Sequence, residues 1–173
     1  LRIRRLGHAD GLALSPWLLM LVQFAAWTAF GFKVGSPSIL FANLFTVFTT
    51  ALVVVAIRGN NFKNWFLIVG GSVLTGAFVF FGPSAIVDWA LILLTGSRLP
   101  QLIRTWLNRR TAKVTAVSIP SLVVALTSMI FWMAFAVLTE NSLIVTTTIV
   151  AMSITLLTAV VELNIAKRAA LAL

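Results

Sequence analysis

Four side chains set at one spacing carry the most specific chemistry in the chain. Trp27 is followed sixteen residues later by Asn43, and Trp132 sixteen residues later by Thr148 (43 − 27 = 148 − 132 = 16). Each tryptophan opens a Trp-x-x-Phe pattern, Trp27 to Phe30 and Trp132 to Phe135. Indole faces lie against C–H surfaces while a carboxamide or hydroxyl bonds to a polar group, so the set suits a polar solute with apolar patches. A sugar ring fits that description. The plainer alternative makes Asn43 and Thr148 interhelical glue, contributing about 0.6 to 2 kcal/mol each, and the tryptophans packing or interfacial anchors. Recurrence at one spacing favours the pocket. Catalysis has little to draw on: one histidine, His8, four acidic residues scattered over 173 positions, and no cysteine. These supply no Ser-His-Asp set, carboxylate pair or metal-ligand cluster, and they exclude disulfides and thiolate metal sites. The reading is of a protein that is not an enzyme and uses no metal or cofactor.

The elements that must position these residues are membrane helices. The chain is 60 % hydrophobic and 10 % charged, against roughly 25 % charged in an ordinary soluble domain. A soluble fold of this length has too little interior to hide so much apolar surface. A hydrocarbon core about 30 Å thick takes roughly 20 helical residues to cross, and six such segments are predicted, at 12–32, 38–57, 64–81, 84–103, 114–138 and 142–161. Between them stand Gly35-Ser36-Pro37, Arg58-Gly59-Asn60-Asn61, Gly82-Pro83, the basic run 104–113 and Glu140-Asn141, all turn or loop signals. The formal net charge of +9 is spread over short gaps rather than gathered on one face, which argues against nucleic acid as a partner. With the first residues cytoplasmic, the inside segments collect Arg2, Arg4, Arg5, Arg58, Lys63, Arg104, Arg109, Arg110, Lys113, Lys167 and Arg168, while the outside turns hold only Lys33 and Glu140. That asymmetry puts both ends in the cytoplasm; the plasma membrane is the expected location.

The two spaced pairs belong to two similar hairpins, 15–43 and 120–148. A turn midway between two residues sets them at one height, and the midpoints are Gly35 and Glu140, in the predicted outer turns. At 1.5 Å per residue all four side chains lie roughly 8 to 12 Å below the outer boundary. Both hairpins enter from the same side, so the repeat is parallel, an arrangement that places a carrier's site between its halves. Segment 64–81 is the odd helix that lets the two units keep one orientation. Its Ser72-x-x-x-Gly76 is a small-residue pattern of the kind that supports helix association.

Three prolines fall near the predicted inner face. Pro100, in Arg98-Leu99-Pro100-Gln101, ends the fourth span, and Pro16 and Pro120 open the first arms of the hairpins. Each either begins or ends a helix or acts as a hinge, since proline removes a backbone donor and opens a kink. Of the ionisable residues in the spans, Arg98 and Glu162 read as interfacial anchors. Asp88, near the outer mouth, reads as an anchor or as a proton site.

In their order and spacing these residues resemble a known family. Pro100-Gln101 resembles the dipeptide that names the PQ-loop proteins, and Ser118-x-Pro120 followed by Trp132-x-x-Phe135 resembles the SWEET and SemiSWEET sugar-carrier unit. Ser15-Pro16, Trp27 to Gly31 and Asn43 resemble that unit once more. The resemblance implies an all-α membrane protein of seven helices, two parallel three-helix-bundle repeats joined by a linker helix, of which six helices are seen here. It divides the chain into a first repeat at 1–61 lacking its first helix, a linker helix at 62–82, a second repeat at 83–166 and a cytoplasmic tail at 167–173. It implies Trp27, Asn43, Trp132 and Thr148 as solute-binding residues, with Thr148 where the second unit has Asn, and Pro16, Pro100, Gln101 and Pro120 as hinges. The activity implied is facilitated diffusion of a mono- or disaccharide by alternating access, with the bilayer and the solute as partners and assembly with further copies of the chain left open. The alternatives are a proton-coupled PQ-loop amino-acid carrier using Asp88, and a membrane receptor or assembly subunit that binds without transport.

Overall fold

The computed structural model describes residues 14–109 and 118–171 and, among these, consists of helices and their connections. The helices are α1 (Leu14–Lys33), α2 (Pro37–Arg58), α3 (Phe62–Phe81), α4 (Ser84–Thr95), a single 3-10 turn (Gly96–Arg98), α5 (Leu99–Asn108), α6 (Ile119–Leu138) and α7 (Ser142–Leu171). Counting α4, the turn and α5 as one segment, six helices of 20 to 27 residues are long and apolar enough to cross a membrane. The chain is therefore an integral membrane protein of helical type. Side chains such as Phe45, Leu93 and Leu138 stand exposed, as lipid-facing positions do, because hydrocarbon is as apolar as they are.

The chain divides into two compact units, one running to Ser97 and the other from Arg98. In the first, α1 is the central element and packs against α2, α3 and α4. Its core is Leu21 with Ala51, Val54 and Val55 of α2 and Ile68 of α3, flanked by Trp17 and Trp65. Gly76 of α3 approaches α1 with no side chain between them: a Cβ there would lie 3.7 Å from Ala29 Cβ. The small-residue pattern of α3 thus serves packing inside the unit. In the second unit α7 packs against both α5 and α6.

Two element boundaries differ from those expected. The fourth segment continues past 103 to Asn108, and α7 runs on to Leu171 through the residues read as a tail. Hydropathy cuts a segment where charges appear, whereas a helical backbone continues wherever its i to i−4 bonds are kept and the charged side chains find partners or water. The first four residues of segment 114–138 lie outside the described residues.

The fourth segment is broken where its sequence demands it. Pro100 carries no N–H for the carbonyl of residue 96, and the chain tightens there into the 3-10 turn, with the Gly96 N–H donating to the Leu93 carbonyl. This break is also the division between the compact units. The repeat boundary at 83 concerns duplicated sequence rather than contact, and remains an expectation.

Candidate functional site

Each hairpin turn is built on the same hydrogen bonds, displaced by 105 residues. In the first, the Ser36 N–H donates to the Gly31 carbonyl at 2.9 Å and the Gly35 N–H to the Phe32 carbonyl at 3.2 Å. In the second, the Asn141 N–H donates to Ala136 at 2.9 Å and the Glu140 N–H to Val137 at 3.1 Å. This pair of bonds is the Schellman ending, which needs one residue in the left-handed region. Gly35 supplies it with φ 64° and Glu140 with φ 52°. The second arm then restarts, with Leu40 N–H to Ser36 at 3.0 Å and Val145 N–H to Asn141 at 3.0 Å.

The side chains below these turns correspond as closely. Trp27 meets Phe30 edge to face at 5.4 Å and 81°, and Trp132 meets Phe135 at 5.6 Å and 87°. Asn43 and Thr148 are both buried, each 7 % exposed, and one turn nearer the bend Ile39 and Ile144 are buried too. Two turns further on come Thr50 and Thr155, again both buried. The tryptophans differ: Trp27 is 8 % exposed, whereas Trp132 is only half-buried. The Asn43 Nδ2 donates to the Ile39 carbonyl of its own helix at 2.8 Å. Trp27 and Asn43 are held by the close approach of α1 and α2 at Gly31, where a Cβ would stand 2.6 Å from the Leu40 nitrogen. Trp132 and Thr148 lie in the second unit on α6 and α7.

The prolines occupy different settings. Pro120 is the second residue of α6 and Pro100 the second of α5, in first turns, where a missing N–H removes no helical bond. Pro16, buried, is the third residue of α1. Of the three, Pro100 alone stands at an interruption within a candidate span. Asp88 is half-buried on α4.

Polar residues flank the break at Pro100 on both sides, among them Ser97, Gln23 and Thr105, which no motif marks. On the α4 side, the buried Ser97 hydroxyl donates to the Gln23 Oε1 of α1 at 2.7 Å. On the α5 side, the Gln101 Nε2 donates to the Thr105 hydroxyl at 3.3 Å, and that hydroxyl donates to the Glu162 Oε1 of α7 at 2.8 Å. Glu162 is 4 % exposed. It is thus a buried acceptor rather than the interfacial anchor expected from its place near the end of a span, because the second half of the fourth segment covers it. The Arg98 Nε, in the 3-10 turn, is buried and makes no hydrogen bond among the described residues. The Thr155 hydroxyl is likewise buried without a hydrogen-bond partner among the described residues. A usable signal existed for this set. Gln23, Thr105 and Glu162 are polar residues inside or against apolar segments, where an unpaired group is costly.

Comparison of the chain with family models, with curated proteins and with solved structures returns no match; the likeness to the PQ-loop and SWEET proteins rests on the quoted residues alone.

Proposed function

We propose that the chain is a carrier that moves a small polar solute, a mono- or disaccharide, across the membrane by alternating access. The observation that carries this reading is the recurrence, 105 residues apart, of one turn geometry with an edge-to-face Trp–Phe pair and a buried polar residue below it. Membrane helices have no general need to repeat such a set, whereas a carrier built from two equivalent repeats does. The unsatisfied Thr155 hydroxyl, two turns beyond Thr148, adds support: an orphaned buried hydroxyl costs about 1–3 kcal/mol, which a bound solute or its water offsets. In this reading the two hairpins belong to parallel repeats, both chain ends are cytoplasmic, and the break at Pro100 provides the bend.

The test is uptake of labelled sugars into proteoliposomes containing the protein, alongside Trp27→Ala, Asn43→Ala and Trp132→Ala. Loss of uptake with retained helicity is expected for both tryptophan variants. Undiminished uptake in both removes the pocket from the account, and saturable binding without flux makes the protein a receptor instead.

A second reading, proton-coupled carriage, is favoured by one observation: the buried carboxyl group of Glu162 joined through Thr105 to Gln101. Here an imposed pH gradient drives uptake, and Glu162→Gln or Asp88→Asn abolishes the drive, which identifies the coupling carboxyl. Flux indifferent to the gradient leaves the uniporter.

A further inference from the structure

The first unit contains a cleft of about 100 Å³ between α1, α2 and α3, which has nothing to do with the paired hairpin residues. Its walls are apolar, formed chiefly by Leu18, Leu21, Val54 and Ile68. Three polar side chains border it: Arg58, Asn64 and Ser72. Two of them are committed to backbone. The Ser72 hydroxyl donates to the Ile68 carbonyl at 2.8 Å, and the Asn64 Nδ2 donates to the carbonyls of Gly59 at 2.8 Å and Arg58 at 3.3 Å. Asn64 thereby fixes the turn that carries Arg58. The Arg58 guanidinium, at the last residue of α2, is exposed and makes no hydrogen bond or ion pair among the described residues; the exposed Lys63 lies five residues on. Near the end of the α3 wall away from Asn64, Gly71 leaves open space, since a Cβ there would meet nothing within 4 Å.

We propose that this cleft holds an acidic phospholipid, with its phosphate on Arg58 and an acyl chain lying along Ile68 and Gly71. A cleft with apolar walls and one cationic end matches an amphiphile with an anionic head. A polar solute finds no hydrogen-bond partners along those walls, and an apolar void forfeits the contacts of its lining. The bilayer supplies chains of the right chemistry at the right depth. The guanidinium binds phosphate oxygens two at a time, and basic pockets between membrane helices take lipid head groups on these terms.

The test reconstitutes the whole chain in phosphatidylcholine bilayers containing a small fraction of phosphatidylglycerol brominated on its acyl chains, or the same fraction of brominated phosphatidylcholine. Tryptophan fluorescence reports the approach of bromine, because Trp17 and Trp65 pack beside the cleft. The acidic lipid is expected to quench at a mole fraction about fivefold lower than the zwitterionic one, the ratio that one basic residue at a membrane surface provides. Arg58→Gln should remove that preference, and Gly71→Leu, which fills open space, should remove the saturable component for either lipid. Equal quenching by the two lipids in the unaltered protein overturns the proposal. So does a preference retained in both variants, which would assign the attraction to the other basic residues. Soluble glycerol phosphate should leave the quenching unchanged; displacement by it would make a free phosphate, not a lipid, the ligand.

Discussion

In the hairpin of α1 and α2 the left-handed turn position is a glycine; in the hairpin of α6 and α7 it is a glutamate, and the hydrogen bonds around them are the same. Four residues before it stands Gly31 in one and Ala136 in the other, both buried. The first hairpin closes so tightly that a methyl at 31 would collide with the backbone of α2, whereas the second accommodates a methyl at the equivalent place. The next arm also starts differently. Ser36 and Pro37 begin α2 without a side-chain cap, while the Asn141 Oδ1 accepts from the Ile144 N–H at 3.1 Å. One backbone path is thus reached by two sets of residues. What the turn requires is its geometry, which glycine adopts freely and a capped, packed hairpin can impose on glutamate.

The largest expected effect tests the tight approach. Gly31→Ala should cost about 2–3 kcal/mol, as overpacking against backbone does, while Ala136→Gly should cost about 1 kcal/mol through helix propensity alone. Denaturation of both variants in mixed detergent micelles compares the two. Equal losses would mean that the hairpins are equally close.

Next come the polar contacts on either side of the Pro100 break. Thr105→Val leaves the buried Glu162 carboxyl group short of a partner and should cost about 1–3 kcal/mol, the penalty of an unsatisfied buried polar group. Ser97→Ala, which removes a neutral bond to Gln23, should cost about 0.5–1.5 kcal/mol. The same denaturation assay orders them, and a reversed order would show that the carboxyl group is held chiefly by other partners.

A smaller effect, of opposite sign in the two hairpins, is expected at the turn. Glu140→Gly relieves a left-handed side chain and should stabilise by up to about 1 kcal/mol, while Gly35→Ala should destabilise by about 1 kcal/mol. Thermal loss of helicity, followed by circular dichroism, reads both. The smallest change in stability belongs to Asn43→Ala, whose amide donates within its own helix; about 0.6 kcal/mol is expected. Uptake separates the two roles of that residue: a pocket residue loses transport at this small cost in stability, and a purely structural one does not.

Hydropathy in the sequence carried the six segments, because a span of about 20 apolar residues has one stable form in lipid. The turns at Gly35 and Glu140 were legible from the midpoints of the two sixteen-residue intervals and from the Gly35-Ser36-Pro37 and Glu140-Asn141 signals there. The division at Ser97 was not legible as a boundary between units. Pro100 announced a break, but which half of the segment packs on α1 and which on α7 depends on contacts far apart in sequence. The burial of Glu162 is hidden from the sequence for the same reason, since position along a helix says where an acidic residue lies and not what covers it.

The amino-acid sequence by itself determined that this chain lives in a membrane, where its helices start and turn, and that one pattern recurs after 105 residues. Those properties follow from local hydropathy, caps and turn chemistry, each set by a few neighbouring residues. Only the tertiary structure decided the closeness of α1 to α2 at Gly31, the burial of Glu162 against Thr105, and the cleft ending at Arg58. Each of these requires two or three helices to meet, and the rotation of each helix about its axis is fixed by packing against its neighbours.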